Sequence, residues 1–324
     1  MHAYRAPLPH FPVAMPADVS KFTAMKFLKA QFPCLLLLSA IYFSPCLRAQ
    51  EARKSETTRH SLWKIQGKQN TVYLLGSIHL LKKENYPLPE VVEAAFTNSA
   101  IVVFETDLSV AEDIAQALSL MNKGQLPDGQ TLQDILTPEV YQDFTNHANQ
   151  TIMPAAMLER FTPGMAATTL EGLEMMKLGF DPEYGIDMHF YKSARKADKK
   201  IVPLESVDFQ LGLLNGLSKE EANWFMKQTL KDLDNIKSDV ADMVKYWESG
   251  EGEKLSSMLD KGLKESASIY KKLITDRNRA WFPKIEELAR GDKNTIIIVG
   301  AGHLVGKEGL VELLKKDGLK LTQE

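Results

Sequence analysis

Cysteine is nearly missing from this sequence. Of 324 residues only Cys34 and Cys46 are cysteines, and both precede residue 50. Beyond that point a disulfide framework, a thiolate metal site and a cysteine nucleophile are all excluded. A strong charge of one sign is missing too. The formal net charge is -3, and no stripe of Lys and Arg interleaves with aromatics, which argues against a nucleic-acid partner. Four common chemistry motifs are absent: the His-Glu-x-x-His zinc helix, the Gly-x-Ser-x-Gly elbow, the Gly-x-x-x-x-Gly-Lys-Ser/Thr phosphate loop and the Gly-x-Gly-x-x-Gly fingerprint. Gly300-Ala301-Gly302 is half of a nucleotide loop, but it runs into His303 and no acidic residue on a following strand completes the pattern.

The one long apolar run, residues 32–43, is too short to favour a membrane span. Lys26 and Lys29 precede it, a polar break follows, and Leu47-Arg48-Ala49 offers a cleavage point after Ala49. That is the layout of a secretory signal. Residues 1–49 therefore read as an extended N-terminus plus signal peptide, with Met25 as the expected start, and residues 50–324 as a single mature domain. Pro45 stands where a lipid-anchored Cys46 would need a small residue. Cleavage takes away five of the 39 basic and one of the 42 acidic residues and leaves 34 against 41, a balance of -7 suited to a soluble exported protein. The expected location is the periplasm, after secretion across the inner membrane. No permanent transmembrane partner is implied, and the oligomeric state is open.

Along the mature part, 63–65 and 71–75 read as a strand hairpin around the polar turn 66–70. The runs 71–75, 101–104 and 295–299 are apolar at consecutive positions, the pattern of strands buried on both faces beneath helices. Helices are expected from Pro89, from Thr137-Pro138, from Thr162-Pro163, from Ile186 and from the capping box Ser218-Lys219-Glu220-Glu221. Further helices follow to Gly291, with breaks near 250–252 and 262, and Arg277-Asn278-Arg279 interrupts one of them. A helix is expected over 306–316 and an edge strand over 319–321. The fold class is α/β, a central, mixed, mostly buried sheet flanked by many helices.

Two tetrapeptides carry the chemistry. Gly76-Ser77-Ile78-His79 and Gly300-Ala301-Gly302-His303 each follow a buried-type strand directly. A strand end is where open α/β sheets present functional groups, so both histidines are expected at one rim. Glu105 follows the strand 101–104, and a carboxylate there is costly unless paired, solvated or metal-bound. His79, His303 and Glu105 together make a ligand set suited to Mn, Co, Fe or Zn with open positions. Glu105 is equally suited to deprotonating a metal-bound water, and residue types alone do not separate the two roles. Asp187 and Glu205 are further acids, and Asp187 also suits the lead position of a helix. Arg277 either holds a substrate carboxylate, orients Glu105 or ties helices together. The same residues also suit a binding protein for a metal, haem or small ligand, or a metal-free esterase-like hydrolase with one histidine as base.

At these residues the sequence resembles the TraB/PrgY/GumN family, itself similar to the Tiki metalloproteases. The likeness rests on residues 75–80, Phe104-Glu105, Gly185-Ile186-Asp187, Arg277-Asn278-Arg279 and residues 300–304, and it spans roughly residues 61–321. It implies a Tiki-like α/β fold and a metal-dependent site built from His79, His303 and Glu105. Glu205 and Arg277 would take part in catalysis. Gly76, Asp187, Asn278 and Gly300 would support the site. The implied cofactor is a divalent metal and the implied substrate a peptide or small molecule, with hydrolysis of peptide bonds as the expected reaction.

Overall fold

Two strands lie at the centre. β2, Thr71–Ser77, and β5, Thr295–Gly300, pair in parallel, with Val72 opposite Thr295 and Ser77 opposite Gly300. Their β-branched and leucine residues are buried along almost every position, as the unbroken apolar runs require. In the computed structural model the described residues are 59–263 and 266–324. The expected signal segment, Met25 and both cysteines lie outside them.

The sheet has six strands in the order β4-β3-β5-β2-β1-β6. β3, Ile101–Phe104, lies parallel to β5, and β4, Lys200–Pro203, lies parallel to β3. β1, Leu62–Gln66, turns back antiparallel to β2 through the expected hairpin, and β6, Leu321–Gln323, closes the other edge against β1. The mixed sheet agrees with expectation. Its four parallel strands run the same way, so Ser77, Phe104, Pro203 and Gly300 all end at one rim.

One apolar cluster surrounds the sheet. It draws on the helices Glu90–Asn98, Ile186–Lys196, Ile236–Glu248 and Leu310–Lys316. A second lies away from the sheet strands and centres on the helices Pro138–Ala148, Pro163–Lys177 and Lys219–Leu233. The capping box forms: Glu221 Oε2 accepts from the Ser218 amide at 2.9 Å, and Ser218 Oγ from the Glu221 amide at 3.2 Å.

The break expected near 262 falls at the end of the helix Gly252–Leu263. Two local expectations are corrected. The last helix begins at Leu310 rather than 306, because Gly306 has φ 83° and turns the chain first. Arg277-Asn278-Arg279 does not interrupt a helix. It opens Asp276–Arg290, and the irregularity lies just before it, a π-helical turn over Lys271–Thr275. That long helix bridges the two clusters: Leu273 and Ile274 precede it in the helical one, while Trp281 and Ile285 pack beside the sheet.

Candidate functional site

The chain leaves β2 at Ser77 and reaches His79 two residues later. The backbone there is pinned by the next helix. The Ile186 amide donates to Ile78 O at 3.0 Å. Gly185 makes the approach feasible, since a Cβ on it would lie 2.0 Å from His79 O. This contact delivers Asp187, 3% exposed, to the imidazole: His79 Nδ1 lies 2.6 Å from Asp187 Oδ2. Asp187 sits in the first turn of its helix, as expected, behind Gly185 at the N-cap, and its carboxylate reaches the histidine. Nδ1 is the nitrogen His79 commits to Asp187, and the side chain keeps a small exposure of 9%. Burial pulls the imidazole pKa down, but the Asp187 carboxylate, by charge and hydrogen bond, more than offsets it, so the pKa stands above the usual histidine value.

Gly76 takes a different role. Its carbonyl accepts from Trp247 Nε1 at 2.6 Å, and its Cα face lies against Ala301, where a Cβ would come within 3.1 Å. It lets the two motifs sit side by side on neighbouring strands.

Glu105 follows β3 and turns inward. Its Oε1 accepts from the Gly300 amide at 2.7 Å; its Oε2 accepts from Arg277 Nη2 at 2.5 Å and from Gln210 Nε2 at 3.1 Å. Burial drives the carboxyl pKa up, and Arg277 foremost reverses this and holds it down to about 2. Glu205 follows β4 in the same manner. Its amide donates to Glu105 O at 2.9 Å, which ties the two segments together just beyond the strand ends. Its Oε1 accepts from Arg277 Nε at 2.9 Å and Nη2 at 2.6 Å, and its Oε2 from Trp281 Nε1 at 2.8 Å.

His303 is fully buried, and both of its ring nitrogens are engaged. Asn278 donates from Nδ2 to His303 O and Glu308 O, at 3.1 and 2.8 Å, so its Oδ1 is the atom 2.8 Å from His303 Nδ1. That orientation assigns the ring proton to Nδ1 and the lone pair to Nε2. Arg277 Nη1 donates to that lone pair at 2.7 Å. Burial first, and the Arg277 charge second, push the His303 pKa down to about 3, against the pull of Glu105. The ring also packs on Trp281 at 4.6 Å between centroids.

Every residue expected at the site is therefore at the rim, but they fall into two groups. One is the pair His79–Asp187. The other is Arg277 with Glu105, Glu205, His303 and Asn278. The three side chains expected to share a metal are not arranged to do so: Arg277 lies on His303 Nε2, and both Glu105 oxygens accept hydrogen bonds. Among the described residues no group of three or more His, Cys, Asp or Glu side chains is placed to hold a metal ion. Gln210 and Trp281 were not foreseen as site residues. Gln210 carries no sequence signal at all, and Trp281 reads as a packing residue until Glu205 is seen to accept its indole N–H.

The family model described as TraB/PrgY/gumN matches residues 61–323. The chain belongs to this family. The TraB/PrgY/gumN match spans both Gly-x-x-His motifs and every strand of the sheet. Among relatives, the chain is 24% identical to the uncharacterized protein YbaP of Escherichia coli over 243 residues, 75% of this chain and 87% of that protein. It is 22% identical to the metalloprotease TIKI1 of Xenopus tropicalis over 317 residues, covering 82% of this chain and 62% of that protein. Human TIKI1 is likewise 22% identical, with 80% and 61% covered. The chain thus spans about three fifths of the length of these two metalloproteases. No solved structure matches.

Proposed function

We propose that this chain is an exported, periplasmic hydrolase that cleaves peptide bonds with His79 as its proton carrier. Kinship with proteins named metalloproteases supports the reaction class. The basic residues ahead of the apolar run 32–43 support export. Among the described residues no helix is long and apolar enough to cross a membrane. The observation that carries the mechanism is the 2.6 Å bond from His79 Nδ1 to Asp187, at the rim where four parallel strands end.

The carboxylate accepts from Nδ1–H and so fixes the tautomer with its lone pair on Nε2. A water placed against Nε2 loses a proton to it as the water oxygen attacks the substrate carbonyl carbon. Asp187 stabilises the imidazolium that results, in keeping with the raised pKa. The proton then passes to the leaving nitrogen as the C–N bond breaks, and His79 returns to its starting form. Arg277 is wholly buried and its donors are spent on the protein, so its part is to position Glu105 and His303.

A divalent ion held jointly by His79, His303 and Glu105 does not fit these donors as they stand, since a guanidinium already faces the lone pair the ion would need. The test is turnover of a peptide library by the purified mature chain, with and without a chelator. Turnover that survives chelation and vanishes in His79→Ala is the expected result. Loss on chelation, restored by Mn2+ or Co2+, would replace this mechanism with a metal-based one.

A further inference from the structure

Arg277 has no spare donor. Its Nε and Nη2 reach Glu205 Oε1 at 2.9 and 2.6 Å, and Nη2 also reaches Glu105 Oε2 at 2.5 Å. Its Nη1 reaches His303 Nε2 at 2.7 Å and Leu273 O at 3.1 Å. Those contacts use all the N–H groups a guanidinium has. The three side-chain acceptors follow three different strands, β3, β4 and β5, and surround one buried guanidinium, each meeting a different part of it.

Two carboxylates and an imidazole lone pair are the donor types that Mn, Co and Zn sites use, but here they are spread around a guanidinium instead of gathered on an ion. An arginine needing only an ion pair would be satisfied by the carboxylates. Here the surroundings are also built to aim an imidazole lone pair at it. Asn278, locked by two carbonyls, keeps the proton on His303 Nδ1. The π-helical turn supplies Leu273 O for the remaining N–H. Trp281 covers the group, its ring centroid 4.6 Å from Arg277 Cζ.

We propose that the Arg277 guanidinium is a built-in cation: it fills the space that Glu105, Glu205 and His303 surround and keeps a divalent ion from binding there. The proposal concerns which cation holds these three side chains and stands apart from the hydrolase reading.

The first measurement uses the wild-type mature chain labelled with 15N at histidine. Zn2+ is added and the His303 ring nitrogens are followed by NMR, their signals assigned by loss in His303→Gln. The expected result is that His303 Nε2 keeps its shift as Zn2+ rises. A shift to the metal-bound range overturns the proposal. The second removes the guanidinium. Arg277→Met, prepared with Co2+ present, is expected to take up Co2+ with visible d–d absorption absent from the wild type, and to melt higher with the ion than without. Adding His303→Ala should weaken that absorption. If Arg277→Met binds Co2+ no better than the wild type, the three side chains are not a latent cation site and the proposal falls. If the variant does not fold even with the ion, that too counts against it, and the wild-type NMR experiment decides the matter independently. Neither measurement reads turnover, so failure here and failure of the hydrolase reading are distinguishable.

Discussion

The two Gly-x-x-His motifs are near copies in sequence and opposites in chemistry. Both follow a buried strand, and β2 and β5 lie side by side. Yet His79 is partly open, pairs with a carboxylate and has a raised pKa. His303 is fully buried, faces a guanidinium and an amide, and is held neutral down to about pH 3. A motif places a side chain. Its partners, which come from distant segments, decide whether that side chain carries protons or holds the site together.

The largest effect that would break this contrast belongs to Arg277. Arg277→Met leaves Glu105 and Glu205 buried without their cation, and in the absence of added metal it should cost about 3–5 kcal/mol of stability in urea unfolding. His79→Ala should cost far less stability. An equal loss in both variants would mean the two halves are not separate devices.

Activity should follow the reverse order. His79→Ala is expected to lower kcat/KM on a cleaved peptide by ~10²–10⁴. Asp187→Asn should also lower it, and should move the rising limb of the pH–rate profile to lower pH, because that carboxylate, ahead of Glu105, is the main group raising the His79 pKa. An unmoved limb would disqualify His79 as the titrating base.

Acid should weaken the His303 side selectively. The native pKa of His303 is depressed from 6.5 to about 3 and that of Glu105 from 4.5 to about 2. Below its unfolded value each group binds its proton more readily in the unfolded chain, so stability is lost as pH falls through these intervals. The His79 pair has the opposite sign: its raised pKa gives stability below the unfolded value that is lost as pH rises through the native one. Urea midpoints between pH 7 and pH 4 should therefore fall. A flat profile would contradict the buried, neutral His303.

Smaller effects refine the picture. Asn278→Ala removes the acceptor for His303 Nδ1–H and leaves buried carbonyls unmet, at about 1–3 kcal/mol. Gln210→Ala takes one of several donors from Glu105 and should cost about 1 kcal/mol, with the thermal midpoint as readout.

Much of this was open to reading before the structure. The apolar runs at 71–75, 101–104 and 295–299 announced strands buried on both faces, and glycine followed by histidine at two strand ends announced a shared rim. The acids after β3 and β4 could be named because a charge directly after an apolar strand demands a partner. The choice of partner could not be read. Nothing in residues 76–79 says that Asp187 will reach Nδ1, since that depends on Gly185 letting a helix come up against the His79 backbone. Nothing in Gly300-Ala301-Gly302-His303 says that a guanidinium will arrive first. Gln210 was invisible because a glutamine on a helix has no pattern of its own.

The sequence by itself determined the strands, the rim and the cast of ionisable groups, because periodicity and burial are local properties of a chain. Tertiary structure alone decided which of those groups meet. Proton affinity and ligand geometry depend on charges a few ångströms away, and here those charges arrive from segments separated by more than a hundred residues in the chain: Asp187 at His79, and Arg277 at Glu105.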